Sequence, residues 1–406
     1  MNFHFFIDDK FIDDFIQEAD AVSTNNVYVF TFDKPAKYVK SNRGIYANYH
    51  SEALDAILQT IQASDRVFIH WYHQKVHEIL QFIPAETSVY AMFWGGDFLE
   101  YPLRCGAKTH LSSFLFDAKS YAVYKKQYAE YIWYQLRKVV RQEYKEGAWK
   151  NILLLPFKLK SKFYPVLAGP NYRKIKRERE QFLQRVHAIC HWNRHDIQLL
   201  ETLYGVQLNH QYFIYATGEL LRAKETQKFN ENKKVVIWVG NSDTLTNNHL
   251  EAFDVLSSFK QENIKVICPL NYGNKTYANL IDKKGKEVFG DRFVGLLDFI
   301  KRESYFQLMD SVDICLMYHN RSQAGGNIFA FLQKGKKVYL KANSTIYLLL
   351  KELGFHIFSE LELAKQSYAQ FIEPLSVAQI EQNIALLETH LYGRAIRKKW
   401  LTELLN

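Results

Sequence analysis

From residue 235 the chain reads Val235-Val236-Ile237-Trp238-Val239-Gly240-Asn241-Ser242, an apolar run that ends in a small polar loop and is followed by a helical pattern from Asn248. The same order recurs where Ile314-Cys315-Leu316-Met317 leads through a polar loop to Ala324-Gly325-Gly326-Asn327 and another helical pattern. A helix start presents unpaired N–H groups and the positive end of the helix dipole. Two such junctions therefore predict a site for an anion, above all a phosphate.

Strand and helix patterns alternate on both sides of this stretch. In the first part, the predicted strands are Phe3–Ile7, Val27–Phe32, Arg66–His70, Ser88–Phe93, Ala188–His191 and Tyr212–Ala216. In the second part, they are Val235–Val239, Ile264–Cys268, Phe293–Leu296, Val312–Met317 and Lys337–Lys341. Such alternation is typical of parallel sheets with helices on both faces. The sequence therefore predicts an α/β fold of two Rossmann-like, doubly wound domains facing a cleft.

The length of 406 residues fits two or three domains, and a hydrophobic content of 48% is ample for buried cores. We expect an N-terminal domain over residues 1–222, a polar linker over 223–234, a C-terminal domain over 235–376 and helices over 377–406. The chain has no apolar run of 18 residues that would predict a membrane span. Its start predicts a strand rather than a signal peptide. Four widely spaced cysteines predict neither a disulfide framework nor a zinc site, which fits a reducing compartment.

Residues 101–185 interrupt the alternation and form a basic helical excursion from the first domain. The whole chain carries a net charge of +9, whereas residues 119–180 carry 16 Lys/Arg against 5 Asp/Glu, or +11. Tyrosine and tryptophan alternate with these basic residues, and an apolar and basic run follows over 152–160. This composition favours contact with an anionic membrane surface. A solvated helical hairpin and a nucleic-acid-binding surface are the alternatives, the second supported by the basic stretch alone.

Trp94-Gly95-Gly96-Asp97 follows a predicted strand at the position where open α/β sheets bind ligands. The paired glycines allow close backbone approach, so Asp97 is a candidate general base facing a cleft. In the alternative interpretation Asp97 only caps the next helix. His70, at the end of another strand, is a second candidate, although a lone histidine at a strand end is usually structural.

Several motifs are absent from the sequence. It has no G-x-x-x-x-G-K-[ST] phosphate loop and no G-x-G-x-x-G after the first strand, which argues against P-loop nucleotidases and nicotinamide dehydrogenases. It also has no D-x-D triplet, with which metal-dependent transferases hold a nucleotide–metal complex. A transferase on this chain would neutralise a leaving diphosphate with helix N-termini and basic side chains such as Arg321. The sequence predicts no cofactor and no metal site.

Four segments together resemble the TDP-N-acetylfucosamine:lipid II N-acetylfucosaminyltransferases, the 4-alpha-L-fucosyltransferase family. They are Trp94–Asp97, Val239–Ser242 with Asn248 and His249, Val266–Gly273, and Asp313–Gly326. The resemblance implies a glycosyltransferase B fold and transfer of a 4-acetamido-4,6-dideoxyhexose from a TDP-sugar to a polyprenyl-diphosphate-linked saccharide. It further implies enterobacterial common antigen or similar bacterial glycan assembly, at the cytoplasmic face of the inner membrane. Residues 101–185 depart from the family pattern by being longer and more basic.

The resemblance also implies site residues. The donor diphosphate would contact Gly240, Asn241, Ser242, Asn248, Arg321, Gln323, Gly325, Gly326 and Asn327. The nucleobase would lie near Leu270, Asn271 and Tyr272, where Tyr272 either stacks on thymine or is an ordinary loop tyrosine. The acceptor would enter beside Trp94, Gly95, Gly96 and Arg194, with His70 and Asp97 as catalytic candidates. Asp97 would take the acceptor proton if the reaction inverts the anomeric centre, whereas retention requires no such base.

Two other functions stay open at this point. One is a glycosyltransferase of the same fold with another nucleotide sugar and acceptor, and the other is a non-catalytic, membrane-associated scaffold that binds sugar nucleotides. The presence of both loop-to-helix junctions favours an active enzyme. The expected partners are a nucleotide-sugar donor, a lipid-linked saccharide acceptor and an anionic membrane surface over 119–180, with no nucleic acid.

Overall fold

A computed structural model describes residues 1–100, 114–145, 172–215 and 234–406. Two sequence predictions fall outside these residues: the linker before Lys234 and the apolar and basic run over 152–160. In the described part of the chain, no helix is long and apolar enough to cross a membrane.

In the described part of the chain, seven parallel strands form the first sheet. They are β1 (Asn2–Phe6), β2 (Asn26–Phe30), β3 (Ile45–Tyr46), β4 (Arg66–Ile69), β5 (Ser88–Met92), β6 (Ala188–Cys190) and β7 (His210–Gln211). Their spatial order is β3-β2-β1-β4-β5-β6-β7, and Asn2 pairs with Asn26 on one side and Arg66 on the other. The direction of winding reverses between β1 and β4, which places the topological switch point there.

Six parallel strands of the described ranges form the second sheet. They are β8 (Val235–Val239), β9 (Ile264–Pro269), β10 (Phe293–Leu296), β11 (Ile314–Met317), β12 (Lys337–Leu340) and β13 (Phe358–Ser359). Their order is β10-β9-β8-β11-β12-β13, so the switch point lies between β8 and β11. Ile314 pairs with Ile237, which brings the carboxyl ends of these two strands together. The two loops that the sequence marks for an anion follow these two strands.

Helices join the strands. Those described before residue 216 are α1 (Ile12–Asp20), α2 (Glu52–Leu58), α3 (Val76–Leu80), α4 (Ala118–Lys145), α5 (Tyr172–Arg185) and α6 (Arg194–Tyr204). Those after it are α7 (His249–Leu256), α8 (Lys275–Phe289), α9 (Arg302–Asp310), α10 (Gly325–Gln333), α11 (Thr345–Glu352), α12 (Glu360–Leu363), α13 (Tyr368–Ile372), α14 (Val377–Leu386) and α15 (Arg394–Leu405). The predicted cap at Ser51 is confirmed, because its hydroxyl accepts from the Leu54 N–H at 3.1 Å.

Both faces of each sheet are buried. On β1, Phe3 and Phe5 join one apolar cluster, while Phe6 joins a separate cluster on the opposite face. On β8, Ile237 and Trp238 likewise belong to different clusters. Successive side chains of a strand point to opposite faces, so a strand that is apolar throughout requires cover on both sides. The predicted doubly wound α/β fold is therefore confirmed.

The last strand of the first sheet lies earlier than predicted. The prediction of Tyr212–Ala216 is wrong, because pairing with β6 involves His210–Gln211 instead. Among the described residues, β7 is the edge strand of this sheet. The Phe213 N–H still donates to the His191 carbonyl at 3.3 Å, and Tyr215 then stacks on Trp94 with ring centroids 4.3 Å apart. The short edge strands β3 and β13 were not predicted, since two residues carry no periodicity.

The terminal helix α15 packs on the first sheet rather than on the second. Leu401, Leu404 and Leu405 belong to the same apolar cluster as Phe6. The Asn2 amide donates to the Leu405 carbonyl at 3.0 Å. The chain end thus returns to the first strand, which sequence order alone does not indicate.

The first described residues of the predicted excursion, from 114 onwards, cross to the second sheet. We term residues 114–120 the strap. Its Asp117 carboxylate pairs with Lys341 after β12, and its Ser120 hydroxyl donates to Glu251 on α7 at 2.6 Å. The Ser120 backbone N–H also donates to Glu251 at 2.8 Å. The strap therefore fastens the beginning of α4 to the second sheet and its helices.

Candidate functional site

The two predicted anion loops meet at the switch point of the second sheet. The Gln323 amide donates to Asn241 Oδ1 at 3.1 Å, and its carbonyl oxygen accepts from the Thr246 hydroxyl at 2.9 Å. Gly240 has φ +71°, and a Cβ there would lie 2.6 Å from His249 Nε2, so only glycine fits. The structure thus brings Gly240, Asn241 and Gln323 together, as the sequence predicts.

Two further residues of this network were missed by the sequence analysis. His319 Nε2 lies 3.1 Å from Asn241 Oδ1 and 2.8 Å from Asn247 Oδ1. Both partners are amide oxygens, so Nε2 carries the proton and donates. Burial holds the pKa of His319 well below its usual range, which keeps the ring neutral. Its position in the polar loop after β11 was the available signal.

Ser242 lies inside its own loop. Its hydroxyl and carbonyl oxygens accept from the Asn247 amide at 3.2 and 3.0 Å, and its side chain is buried. These bonds shape the turn between β8 and α7. Ser242 therefore supports the predicted diphosphate loop, while Asn241 is the more exposed of the two residues.

Asn248 is used elsewhere in the structure. Its amide nitrogen donates to the carbonyls of Leu115 and Tyr318 at 3.3 and 3.1 Å, and its Oδ1 accepts from the Asp117 N–H at 3.0 Å. It is fully buried. The amide holds the strap against the second sheet, so the structure does not bring it to the predicted diphosphate site.

Helix α10 begins directly beside the Asn241–Gln323 contact. Ala324 precedes it with φ +57°, and a Cβ added to Gly326 would meet no atom within 4 Å. Gly325 is closer to the protein, since its added Cβ would lie 3.4 Å from the Trp192 ring. The Asn327 amide donates to the Tyr305 hydroxyl at 2.9 Å and so faces α9. The open helix start is therefore at Gly326.

The three predicted nucleobase-side residues differ in exposure. Tyr272 is 73% exposed, whereas Leu270 is 1% exposed and packs in the apolar core of the second sheet. A core position removes Leu270 from contact with a ligand. The Asn271 amide donates to the Asp298 carbonyl at 3.0 Å and thereby links the loops after β9 and β10. On the second loop Phe299 is 86% exposed, an aromatic residue that the sequence analysis missed.

Asp97 lies in the first turn of a π-helical segment, Gly96–Glu100. It is 1% exposed. Its Oδ1 accepts from the Phe98 N–H at 3.1 Å, and Oδ2 has no hydrogen bond to any residue of the described ranges. Burial raises the pKa of Asp97 to about 7, against the lowering effect of nearby backbone N–H groups and Arg179. A carboxyl group with this pKa can exchange a proton near neutral pH.

Arg321 joins the two sides of the cleft. A Cβ added to Gly95 would lie 2.7 Å from Arg321 Nη1, and Gly95 has φ +86°. The same Nη1 donates to the Ser322 carbonyl at 2.5 Å. The predicted donor-side arginine therefore lies directly against the predicted acceptor loop, with Asp97 two residues further on.

His70 is enclosed within the protein. Its Nε2 lies 3.0 Å from His4 Nδ1, and its Nδ1 is hydrogen-bonded to the Tyr215 hydroxyl. It is 1% exposed, and burial holds the pKa of its ring well below the usual range. The His70 carbonyl accepts from the Trp94 indole N–H. With both ring nitrogens engaged, His70 supports the acceptor loop from beneath and does not face the cleft as a catalytic group.

Arg194 also has a different place from the one expected. Its guanidinium pairs with Glu352 on α11 at 2.9 Å, in an exposed ion pair. Beside it, the buried Asp196 accepts from Thr345 at 2.6 Å and from His191 at 2.9 Å. These contacts join the start of α6 to α11, so Arg194 links the first part of the chain to a helix of the second.

Within the described ranges, no group of three or more His, Cys, Asp or Glu side chains could hold a metal ion.

Solved structures with the same architecture are glycosyltransferases. HepE from Anabaena, in complex with UDP and glucose, aligns over 100% of this chain and 99% of its own with a TM-score of 0.57 and 12% identity. Sucrose-phosphate synthase from Thermosynechococcus elongatus aligns over 100% and 94% with a TM-score of 0.55 and 9% identity. A trehalose-6-phosphate synthase studied for glycosyltransfer with retention aligns over 100% and 98% with a TM-score of 0.55 and 11% identity. These likenesses show the glycosyltransferase B fold.

The family match is more specific than the fold. Residues 169–395 match the family described as 4-alpha-L-fucosyltransferase, glycosyl transferase group 56. This range is more than half of the chain and includes both anion loops and Arg321. The protein therefore belongs to the 4-alpha-L-fucosyltransferase family and is a glycosyltransferase.

Proposed function

We propose that this glycosyltransferase moves a deoxy-acetamido sugar of the N-acetylfucosamine type from a TDP-sugar to a polyprenyl-diphosphate-linked saccharide in bacterial surface glycan assembly. The observation that carries the donor half of the proposal is the Asn241–Gln323 hydrogen bond at the switch point, beside the open start of α10. Open α/β sheets bind their ligands at this place. The family match supports the choice of sugar.

Stabilising the departing nucleoside diphosphate is the main electrostatic task of the site. Negative charge grows on the diphosphate as the glycosidic bond breaks, and fixed donors aimed at it lower the barrier. The start of α10 at Gly326 and the Arg321 guanidinium are the groups that would do so, with the Asn241 and Gln323 amides alongside. Tyr272 and Phe299, both exposed on neighbouring loops, would be available to the nucleobase.

Asp97 is the carboxyl group of the acceptor loop, two residues after Gly95, which lies against Arg321. Its raised pKa would let the carboxylate accept a proton from an acceptor hydroxyl if the reaction inverts the anomeric centre. In a reaction with retention, as in the study of the trehalose-6-phosphate synthase, no such base is required. Turnover of Asp97→Asn separates the two, because near wild-type turnover would remove Asp97 from the role of base.

A lipid-linked acceptor requires access to a membrane surface, and α4 would supply it on the cytoplasmic side of the inner membrane. Tyr131, Trp133 and Tyr134 are 54%, 61% and 64% exposed, and Arg137 and Lys138 next to them are exposed as well. Aromatic rings with basic neighbours suit the interface of an anionic bilayer. Cosedimentation with phosphatidylglycerol vesicles but not phosphatidylcholine vesicles, lost in Trp133→Ser with Arg137→Glu, would support this. Equal binding of the double variant would refute it.

A thermal-shift screen with TDP, UDP, GDP, ADP and CMP tests the donor half. A ligand that binds only the folded protein raises the unfolding midpoint by mass action. We expect a shift with TDP that is lost in Gln323→Ala and kept in Gln198→Ala, a control on α6. HepE was solved with UDP, so a shift with UDP alone would favour the second candidate, another nucleotide sugar on the same fold. No shift with any nucleotide would contradict the proposal and favour a scaffold.

A further inference from the structure

Four half-buried aromatic rings lie at the switch point of the first sheet. We term Phe11, Trp71, Trp94 and Tyr215 the aromatic basin. Phe11 follows β1 and Trp71 follows β4, the two strands between which the winding reverses. Trp94 lies at the centre, with ring centroids 5.3 Å from Phe11, 6.0 Å from Trp71 and 4.3 Å from Tyr215. A switch point is where an open α/β sheet forms a ligand crevice.

Two of these rings are fixed by buried hydrogen bonds. The Trp94 indole N–H donates to the His70 carbonyl, and the Tyr215 hydroxyl is bonded to His70 Nδ1. The His70 ring is held in turn by His4 at 3.0 Å. Rings held in this way lose little freedom when a ligand stacks on their neighbours, so the basin is pre-organised.

Trp71 differs from the other rings. Its indole N–H makes no hydrogen bond to any residue in the described part of the chain. A Cβ added to Gly96 would lie 3.6 Å from the Trp71 ring, and the next residue is Asp97. Trp71 therefore lies against the loop that carries Asp97, with the Cη2 atom of its ring towards Gly96 and its indole N–H unused.

We propose that Trp71 is the platform on which the acceptor's sugar ring is held. This inference rests on the proposed function and adds the acceptor subsite to it. One face of a pyranose consists of C–H groups and suits an aromatic ring, while its hydroxyls can accept the indole N–H. Pockets of this kind combine aromatic walls with a few placed polar groups. Trp94, Tyr215 and Phe11 support Trp71 as positioning residues.

Binding of a farnesyl-diphosphate-linked N-acetylhexosamine disaccharide tests the platform. Its dissociation constant is measured calorimetrically with saturating TDP for the wild type, Trp71→Ala, Trp71→Phe and the control Phe82→Ala, an exposed ring after α3. We expect Trp71→Ala to weaken binding at least tenfold and Trp71→Phe, which keeps a ring but lacks the N–H, to recover part of the loss. Phe82→Ala is expected to bind as the wild type does. TDP affinity should stay within twofold in all variants.

Three outcomes overturn the inference: unchanged disaccharide binding by Trp71→Ala, equal losses of TDP and disaccharide binding in both Trp71 variants, and no binding of the disaccharide by the wild type. Failure of the proposed donor is recognised separately, because the nucleotide screen needs no acceptor. Failure of transfer with intact disaccharide binding would contradict the proposed reaction and leave the platform supported.

Discussion

Replacing Asp97 by Asn should stabilise the protein at alkaline pH while lowering its transfer activity. The carboxyl group is buried, and its pKa is raised from 3.8 to about 7 because burial disfavours the charged form. Asparagine has nearly the same shape and cannot ionise. The variant therefore removes the free-energy cost of a buried charge together with the proton acceptor. Stability and activity are expected to change in opposite directions when the replaced group serves function at a cost to stability.

The magnitude follows from the two pKa values. The folded pKa lies above the unfolded one, so the contribution of Asp97 to the free energy of unfolding is complete below about pH 3.8 and is lost as the pH rises through about 7. Between about pH 5.5 and about pH 8.5 the loss is about 2 kcal/mol. Asparagine can keep the bond from the Phe98 N–H. Its NH2 group leaves a buried donor that costs about 1–3 kcal/mol at every pH, which is less than the cost of about 4 kcal/mol that ionisation of Asp97 reaches at about pH 8.5.

Chemical denaturation of the wild type and Asp97→Asn at these two pH values provides the test. Subtracting the two free energies of unfolding removes the contributions of all other titrating groups, which the two proteins share. We expect the variant's free energy of unfolding, relative to the wild type, to rise by about 2 kcal/mol from the lower to the higher pH. A difference that does not change with pH would show that Asp97 ionises normally, and the argument from burial would then be wrong.

Three further predictions concern other parts of the site. Gly95→Ala should destabilise the protein by about 1–2 kcal/mol and reduce turnover, because Gly95 has φ +86° and an added Cβ would lie 2.7 Å from Arg321. Denaturation and transfer assays compare this variant with the control Gly205→Ala, since Gly205 has φ +64° and free space around an added Cβ. Asp117→Ala should lower the free energy of unfolding by about 2 kcal/mol, because it leaves Lys341 unpaired under the strap. Lys119→Ala, which removes the exposed Lys119–Asp254 pair, should lower it by less than about 1 kcal/mol. Equal effects of the two variants would contradict a role for the strap. Arg321→Lys should lower turnover at least tenfold, since a lysine cannot reproduce the guanidinium fork, and should leave the unfolding midpoint within a few degrees of the wild type. Unchanged turnover would exclude Arg321 from stabilising charge on the leaving diphosphate.

The sequence was sufficient for the central strand of the second sheet. β8 has the predicted limits, because a strand buried on both faces must be apolar along its whole length and is bounded by polar residues. β10, a four-residue edge strand, also has its predicted limits. The remaining edge strands are different. β3 and β13 contain two residues each, and β7 ends where Phe213 and Tyr215 turn into the aromatic cluster of the first sheet. Their ends depend on tertiary neighbours that no local pattern encodes.

The same division holds for the site. The sequence by itself determined that two loop-to-helix junctions follow β8 and β11, since glycine and small polar residues after an apolar strand have few other uses. Only the tertiary structure decided which side chains turn towards the cleft. Asn248 and Leu270 lie within the matching segments, yet one holds the strap and the other packs in the core. Direction and burial arise from contacts between segments far apart in the chain: Arg321 reaches Gly95, and His4 holds His70 beneath Trp94.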